Sequence, residues 1–159
     1  MLVIVDVNSS TQIANLLNEY CPDIALHAGQ LKDALSKGRL KHLCQRVLEY
    51  KDPRISSGKY FGSDDFIYHA LLVTNGLLVT RDREFAARYK ERSILLYNGG
   101  ADPKKNPEGL IVEPYEEGDY EQVLNLVLLH FGEEIDQFKL QNEQNGKKEV
   151  PECNDLSNA

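Results

Sequence analysis

Two unbroken apolar runs constrain this chain most. Leu2 to Val5 reads LVIV and Leu77 to Thr80 reads LLVT, and neither alternates apolar with polar residues. Alternation marks a strand with one wet face; an unbroken β-branched run marks a strand buried on both faces. Such strands belong to parallel sheets covered by helices on each side, because parallel neighbours must be joined by crossover segments.

The segments between the runs have the helical period that crossovers need. Ser9 and Gln12 form a capping box ahead of Ile13, Leu16, Leu17 and Tyr20. DIALHA, from Asp23 to Ala28, reads as a second strand. Leu40, Leu43, Cys44, Val47 and Leu48 make one face of a further helix, with Lys41, His42, Gln45, Arg46 and Glu49 on the wet side. Ser63 is an N-cap for a helix that runs to Asn75, where Asn75-Gly76 ends it. REFAARYKE predicts a short helix, SILLY and LIVE predict strands, and Asp119 caps a last helix carrying VLNLVLLHF. From Gly132 onward the chain is polar and without period, which predicts a disordered tail over 132–159 behind a domain of 1–131. The expected fold is α/β, a Rossmann-like three-layer sandwich with a mostly parallel central sheet.

Composition sets the outer limits. The 159 residues make one domain, and a net charge of -7 argues against adhesion to nucleic acid or membrane through the overall field. Three widely spaced cysteines without a C-x-x-C pair predict neither a zinc site nor a disulfide framework and fit a reducing cytoplasm. MLVIVD is too short for a signal-peptide core, and no apolar run approaches the roughly 20 residues of a membrane helix. A soluble, cytoplasmic protein with no membrane partner is expected.

The acidic residues at the ends of these elements carry the functional argument. Twelve helical residues from Asp64 to Asn75 rise about 18 Å. The strand Leu77 to Thr80 with its tight link covers a comparable distance at roughly 3.3 Å per residue. Asp64 therefore comes level with Asp82, and Asp6 joins them if the first strand is parallel. In open α/β sheets the carboxyl edge of the strands is where ligands bind. Asn8 adds an amide oxygen. Clustered carboxylates repel one another unless a cation sits among them, and hard oxygen donors suit Mg²⁺ or Mn²⁺. A metal so held can activate water and stabilise a phosphoryl transition state, which points to phosphodiester hydrolysis. The plain alternative is that Asp64 and Asp65 only favour a helix N-terminus, and that Glu84 is a solvated first-turn residue.

VDVN after the first strand, and SDDFI followed by G-L-L-V-T-R-D-R-E-F, resemble the PIN-domain superfamily of metal-dependent ribonucleases. Asp64, Gly76, Thr80, Asp82 and Phe85 fall at that family's spacing. The short gap between Asp6 and DIALHA is more similar to its compact PIN-like branch, and the likeness covers residues 1 to about 97 discontinuously. The resemblance implies Asp6, Asp64 and Asp82 as metal ligands and Thr80 as a hydroxyl that orients water. It makes Asn8 a substrate-facing or supporting amide, a role Asp65 and Glu84 could share. The family's fourth carboxylate has no clear counterpart; Asp33 is nearest by position. Val7 also stands where the family often has Thr.

The segment from Lys32 to Lys59 holds eight basic residues against three acidic ones, a local +5 in a chain of -7. Lys41, Arg46 and Arg54 in it, with Arg81 beside the acidic edge, are candidate RNA-phosphate contacts, and Tyr50, Tyr60 and Phe61 are candidate stacking residues. The competing reading is a solvated helix face. The four histidines are scattered and read as packing or surface residues. A metal-dependent ribonuclease is thus the leading expectation. A catalytically silent PIN-like module that binds RNA or protein is the alternative. A phosphoaspartyl enzyme is weaker, because Asn8 stands where an acid would be needed. Expected partners are RNA and a protein such as an antitoxin or an RNA-processing factor, with a second copy of the chain a further candidate.

Overall fold

The computed structural model describes residues 1–31, 64–97, 111–116 and 118–145. Strand β1 (Val3–Val5) leads into helix α1 (Thr11–Tyr20) and strand β2 (Ala25–His27). Helix α2 (Asp64–Thr74), strand β3 (Leu77–Thr80) and helix α3 (Arg83–Arg88) follow, then a single 3₁₀ turn at Lys90–Arg92. Strands β4 (Ser93–Tyr97) and β5 (Ile111–Pro114) and helix α4 (Tyr120–Asn145) complete the chain.

The five strands form one sheet in the order β2-β1-β3-β4-β5, and every neighbouring pair is parallel. The alternation of side chains along each strand divides the core between the two faces. Val3, Val5, Leu77, Val79, Ile94 and Leu96 pack with α1 and α4 through Ile13, Leu17, Val123 and Val127. Leu2, Ile4, Leu26 and Leu78 pack on the other face with Phe66, Leu71 and Phe85 of α2 and α3. The expected three-layer α/β sandwich is the observed one.

The link from α2 to β3 is fixed by two backbone requirements. Asn75 adopts φ 50°, the left-handed conformation in which Asn is one of the few tolerated side chains. Gly76 N–H then reaches Leu71 O at 2.9 Å and Asn75 N–H reaches Leu72 O at 3.4 Å, the Schellman pattern that closes a helix. Gly76 is required for a different reason: a Cβ there would stand 2.5 Å from Leu2 O, the carbonyl that accepts Leu77 N–H at 2.9 Å.

At the edge of the sheet, Asn18 of α1 doubles as a partner for β2. Its Nδ2 donates to Ala25 O at 2.9 Å, and its Oδ1 accepts from Ala25 N–H at 2.8 Å.

Two expectations are corrected. The N-cap of α1 is Ser10, whose hydroxyl accepts from Gln12 N–H at 3.1 Å, and not Ser9. Ser9 is engaged in the turn after β1, so the cap falls one residue later. The last helix does not stop at Phe131: α4 runs 26 residues to Asn145. Ile135 is buried and Phe138 packs against the same core face as Val127 and Phe131. Tyr20 Oη also donates to Asp136 at 2.8 Å, and Arg92 binds both carboxylate oxygens of Glu134 at 2.9 and 2.7 Å. Residues 132–145 therefore belong to the domain, whereas 146–159 lie outside the described residues. Among the described residues, no helix is long and apolar enough to cross a membrane.

Candidate functional site

The strand order reverses direction between β1 and β3: from β1 the chain goes first to β2 on one side and then returns to β3 on the other. At such a switch point the two loops leaving the carboxyl ends of the strands diverge and open a crevice. The register Val5↔Val79 puts Asp6 opposite Thr80 at the mouth of that crevice.

Asp6 is only 3 % exposed. Its Oδ1 accepts from Val7 N–H at 2.8 Å and its Oδ2 from the Thr80 hydroxyl at 2.7 Å, while its own N–H donates to Val79 O at 2.9 Å. Thr80 is fully buried, and its Oγ1 in turn accepts from Asp82 N–H at 3.0 Å. A hydroxyl has one proton, and here it goes to Asp6. In this geometry Thr80 holds a carboxylate in place.

Asp82 follows β3 and caps α3. Its Oδ1 accepts from Glu84 N–H at 2.9 Å and Phe85 N–H at 3.2 Å, and its Oδ2 has no partner among the described residues. Glu84 is an exposed first-turn residue of α3. Capping and ligation are compatible in Asp82, since a carboxylate has about four lone-pair sites and the cap uses one oxygen.

Asn8 lies between the two loops. Its Oδ1 accepts Arg81 N–H at 3.1 Å and the Ser9 hydroxyl at 3.2 Å. Because a backbone N–H can only donate, the amide orientation is settled, and the Nδ2 hydrogens point away from these contacts with no partner among the described residues. The Arg81 guanidinium lies over the Tyr115 ring, 5.9 Å from its centroid, so it leans along the same edge toward the end of β5.

The structure thus brings together Asp6, Asn8, Thr80, Arg81 and Asp82. Asp64 opens α2, and its side chain lies outside the described residues. Asp65 instead forms an ion pair with Arg88 at 2.8 Å, and Arg88 also covers Tyr68 at 4.2 Å from the ring centroid, so this acid is tied into the α2–α3 packing. Asp33, Lys41, Arg46, Arg54, Tyr50, Tyr60 and Phe61 lie outside the described residues, as do the expected helix around Leu40–Leu48 and the Ser63 cap. Among the described residues, no three His, Cys, Asp or Glu side chains are grouped to hold a metal ion. The donors that are present, Asp6 and Asp82, are hard oxygens of the kind Mg²⁺ and Mn²⁺ accept, and such ions use one or two carboxylates and keep several waters.

His27 also reaches this edge. The last residue of β2, it donates from Nε2 to Ser9 O at 2.9 Å and accepts at Nδ1 from Gly29 N–H at 3.1 Å. The only sequence signal for it was its place at the end of DIALHA, level with Val5.

Comparison with protein-family models, with curated proteins and with solved structures returned no match.

Proposed function

We propose that this chain is a metal-dependent ribonuclease of the PIN-like kind, hydrolysing RNA phosphodiester bonds at the carboxyl edge of β1 and β3. The observation that carries this reading is Asp6: a carboxylate 3 % exposed, held by two donors at the strand-order reversal, with Asp82 linked to it through one threonine hydroxyl. A buried carboxylate with no basic partner among the described residues is costly unless it is hydrogen-bonded or ligates a cation, and such sites concentrate where chemistry is done.

Asp6 and Asp82 are the residues proposed to hold Mg²⁺ or Mn²⁺, with Asp64 and Asp33 as further ligands. The cation would supply an activated water and neutralise charge developing on the phosphate. Thr80 keeps the Asp6 carboxylate in one orientation. The Asn8 amide, with its oxygen anchored on Arg81 N–H, offers its Nδ2 hydrogens to a phosphate oxygen, and Arg81 supplies a cation on the same edge. Substrate RNA would extend over the basic segment that contains Lys41, Arg46 and Arg54.

The test is cleavage of a labelled mixed-sequence RNA in Mn²⁺ and in Mg²⁺, comparing the native chain with the double variant Asp6→Asn/Asp82→Asn. Cleavage by the native chain alone supports the reading. RNA retained by both proteins and cut by neither would favour a catalytically silent module, a reading supported by Val7 standing where the family often has Thr.

A further inference from the structure

We infer that His27 is a positioning residue that sets the Asp6–Ser9 turn, and through it the Asn8 amide, for the substrate side of the proposed ribonuclease site. This rests on the functional reading above only in what the amide is for; the positioning itself can be tested without RNA.

His27 stands opposite Val5 in the β1–β2 register, one residue short of Asp6, on the flank of the crevice away from β3. Gly29 N–H donates to its Nδ1 at 3.1 Å, so that nitrogen carries the lone pair and the proton of the neutral ring sits on Nε2. Nε2–H then donates to Ser9 O at 2.9 Å. Both ring nitrogens are used by main-chain groups, and the tautomer follows from the geometry.

Ser9 is 8 % exposed, and its other groups complete the turn. Its N–H donates to Asp6 O at 3.0 Å, an i to i+3 bond, and its hydroxyl donates to Asn8 Oδ1. Asn8 is bound on the far side by Arg81 N–H. A continuous set of hydrogen bonds therefore runs from β2 through the turn to the loop after β3: His27 to Ser9, Ser9 to Asn8, Asn8 to Arg81. Asp6 has its own separate hold, the Thr80 hydroxyl. Val7, at the tip, is 63 % exposed and contributes no apolar anchor. Without the imidazole the Ser9 carbonyl loses its donor, and among the described residues the turn keeps only its β3-side tether.

This division predicts which half of the site responds. Loss of His27 should free Ser9 and Asn8 and spare Asp6. In amide hydrogen exchange, His27→Leu should speed exchange at Ser9 and Arg81 by roughly fivefold to tenfold, the change expected for loss of one ordinary hydrogen bond, and leave Asp6 and Asp82 amides unchanged. His27→Gln, whose Nε2 can donate to the same carbonyl, should restore protection. In the RNA assay, His27→Leu should raise KM several-fold with kcat retained, a split that general destabilisation does not produce.

Unchanged protection at Ser9 and Arg81 in His27→Leu overturns the inference whatever the RNA assay gives. If the leucine variant does not fold, long-range ¹H–¹⁵N spectra of the native imidazole decide: a ring protonated on Nδ1 overturns it, and one protonated on Nε2 supports it. Absence of cleavage by the native chain refutes the ribonuclease reading alone, and the exchange data still decide the positioning role.

Discussion

Thr80 gives its hydroxyl proton to Asp6 across the seam between β1 and β3, at 2.7 Å, and takes the Asp82 amide hydrogen at 3.0 Å on the same oxygen. One buried side chain thereby ties together two loops far apart in sequence, beside the bond that Arg81 N–H makes to Asn8 Oδ1.

Thr80→Val keeps the shape and removes both bonds. The Asp6 carboxylate would lose a donor at a site closed to water. Stability should fall by about 1.5–3 kcal/mol, the range for hydrogen bonds to charged groups, while Thr80→Ser should stay near native. Urea unfolding checks this, and the urea dependence of the transition should not change.

Asp82 separates structure from chemistry. Asp82→Ala removes the α3 cap seen at Glu84 N–H and Phe85 N–H and should cost about 1 kcal/mol. Asp82→Asn retains a good cap and should melt near the native temperature, yet bind Mn²⁺ far more weakly. Equal Mn²⁺ affinity for the native and Asn proteins would remove Asp82 from the proposed metal site.

Tyr89 makes the fold sensitive to alkali. Burial pushes its phenol from 10.0 up to about 12, and its hydroxyl donates to Gly76 O at 2.8 Å. The folded form holds this proton more tightly than the unfolded form. The stabilisation is therefore complete below pH 10 and is lost as pH rises toward about 12. Phenolate absorbance should show a late-titrating tyrosine that is absent in Tyr89→Phe, and the variant's stability should fall less steeply over the same window.

The Arg92–Glu134 pair has the opposite sign. The Arg92 hydrogen bonds hold the Glu134 carboxyl below its ordinary value of 4.5. Its contribution is present above that value and disappears as pH falls through the lower, folded-state value. Glu134 is 44 % exposed, so the pair is worth less than about 1 kcal/mol. Melting of Glu134→Gln against native protein should differ slightly at pH 6 and converge in acid.

Much of this architecture could be read from residue patterns, because its signals are local. LVIV, LLVT and SILLY are strands without a wet face, and they became the central strands β1, β3 and β4. Asp6 and Asp82 were legible for the same reason, since each lies just beyond the carboxyl end of such a strand, whereas Thr80 was legible only through the resemblance. The extent of α4 was not. Gly132, Glu133 and Glu134 interrupt the apolar run, although Ile135 and Phe138 resume the spacing of Val127 and Phe131; the period was present, and the polar interruption hid it. The bonds of His27 and Asn18 were not legible, because a side chain bonded to a distant backbone group leaves no period in the sequence; the sequence marks His27 only as a packing or surface residue.

The bidentate grip of Asn18 on Ala25 has one more consequence. Among the described residues β2 is a border strand, and its outward main-chain pair at Ala25 is the kind of template on which a foreign strand, or another copy of this chain, could dock and extend the sheet. The amide of Asn18 mimics the donor and acceptor of such a strand from within the same molecule. Recruitment at this border would first have to break two internal bonds, so a substitution as slight as Asn18→Leu should expose a sticky seam and show itself as concentration-dependent aggregation.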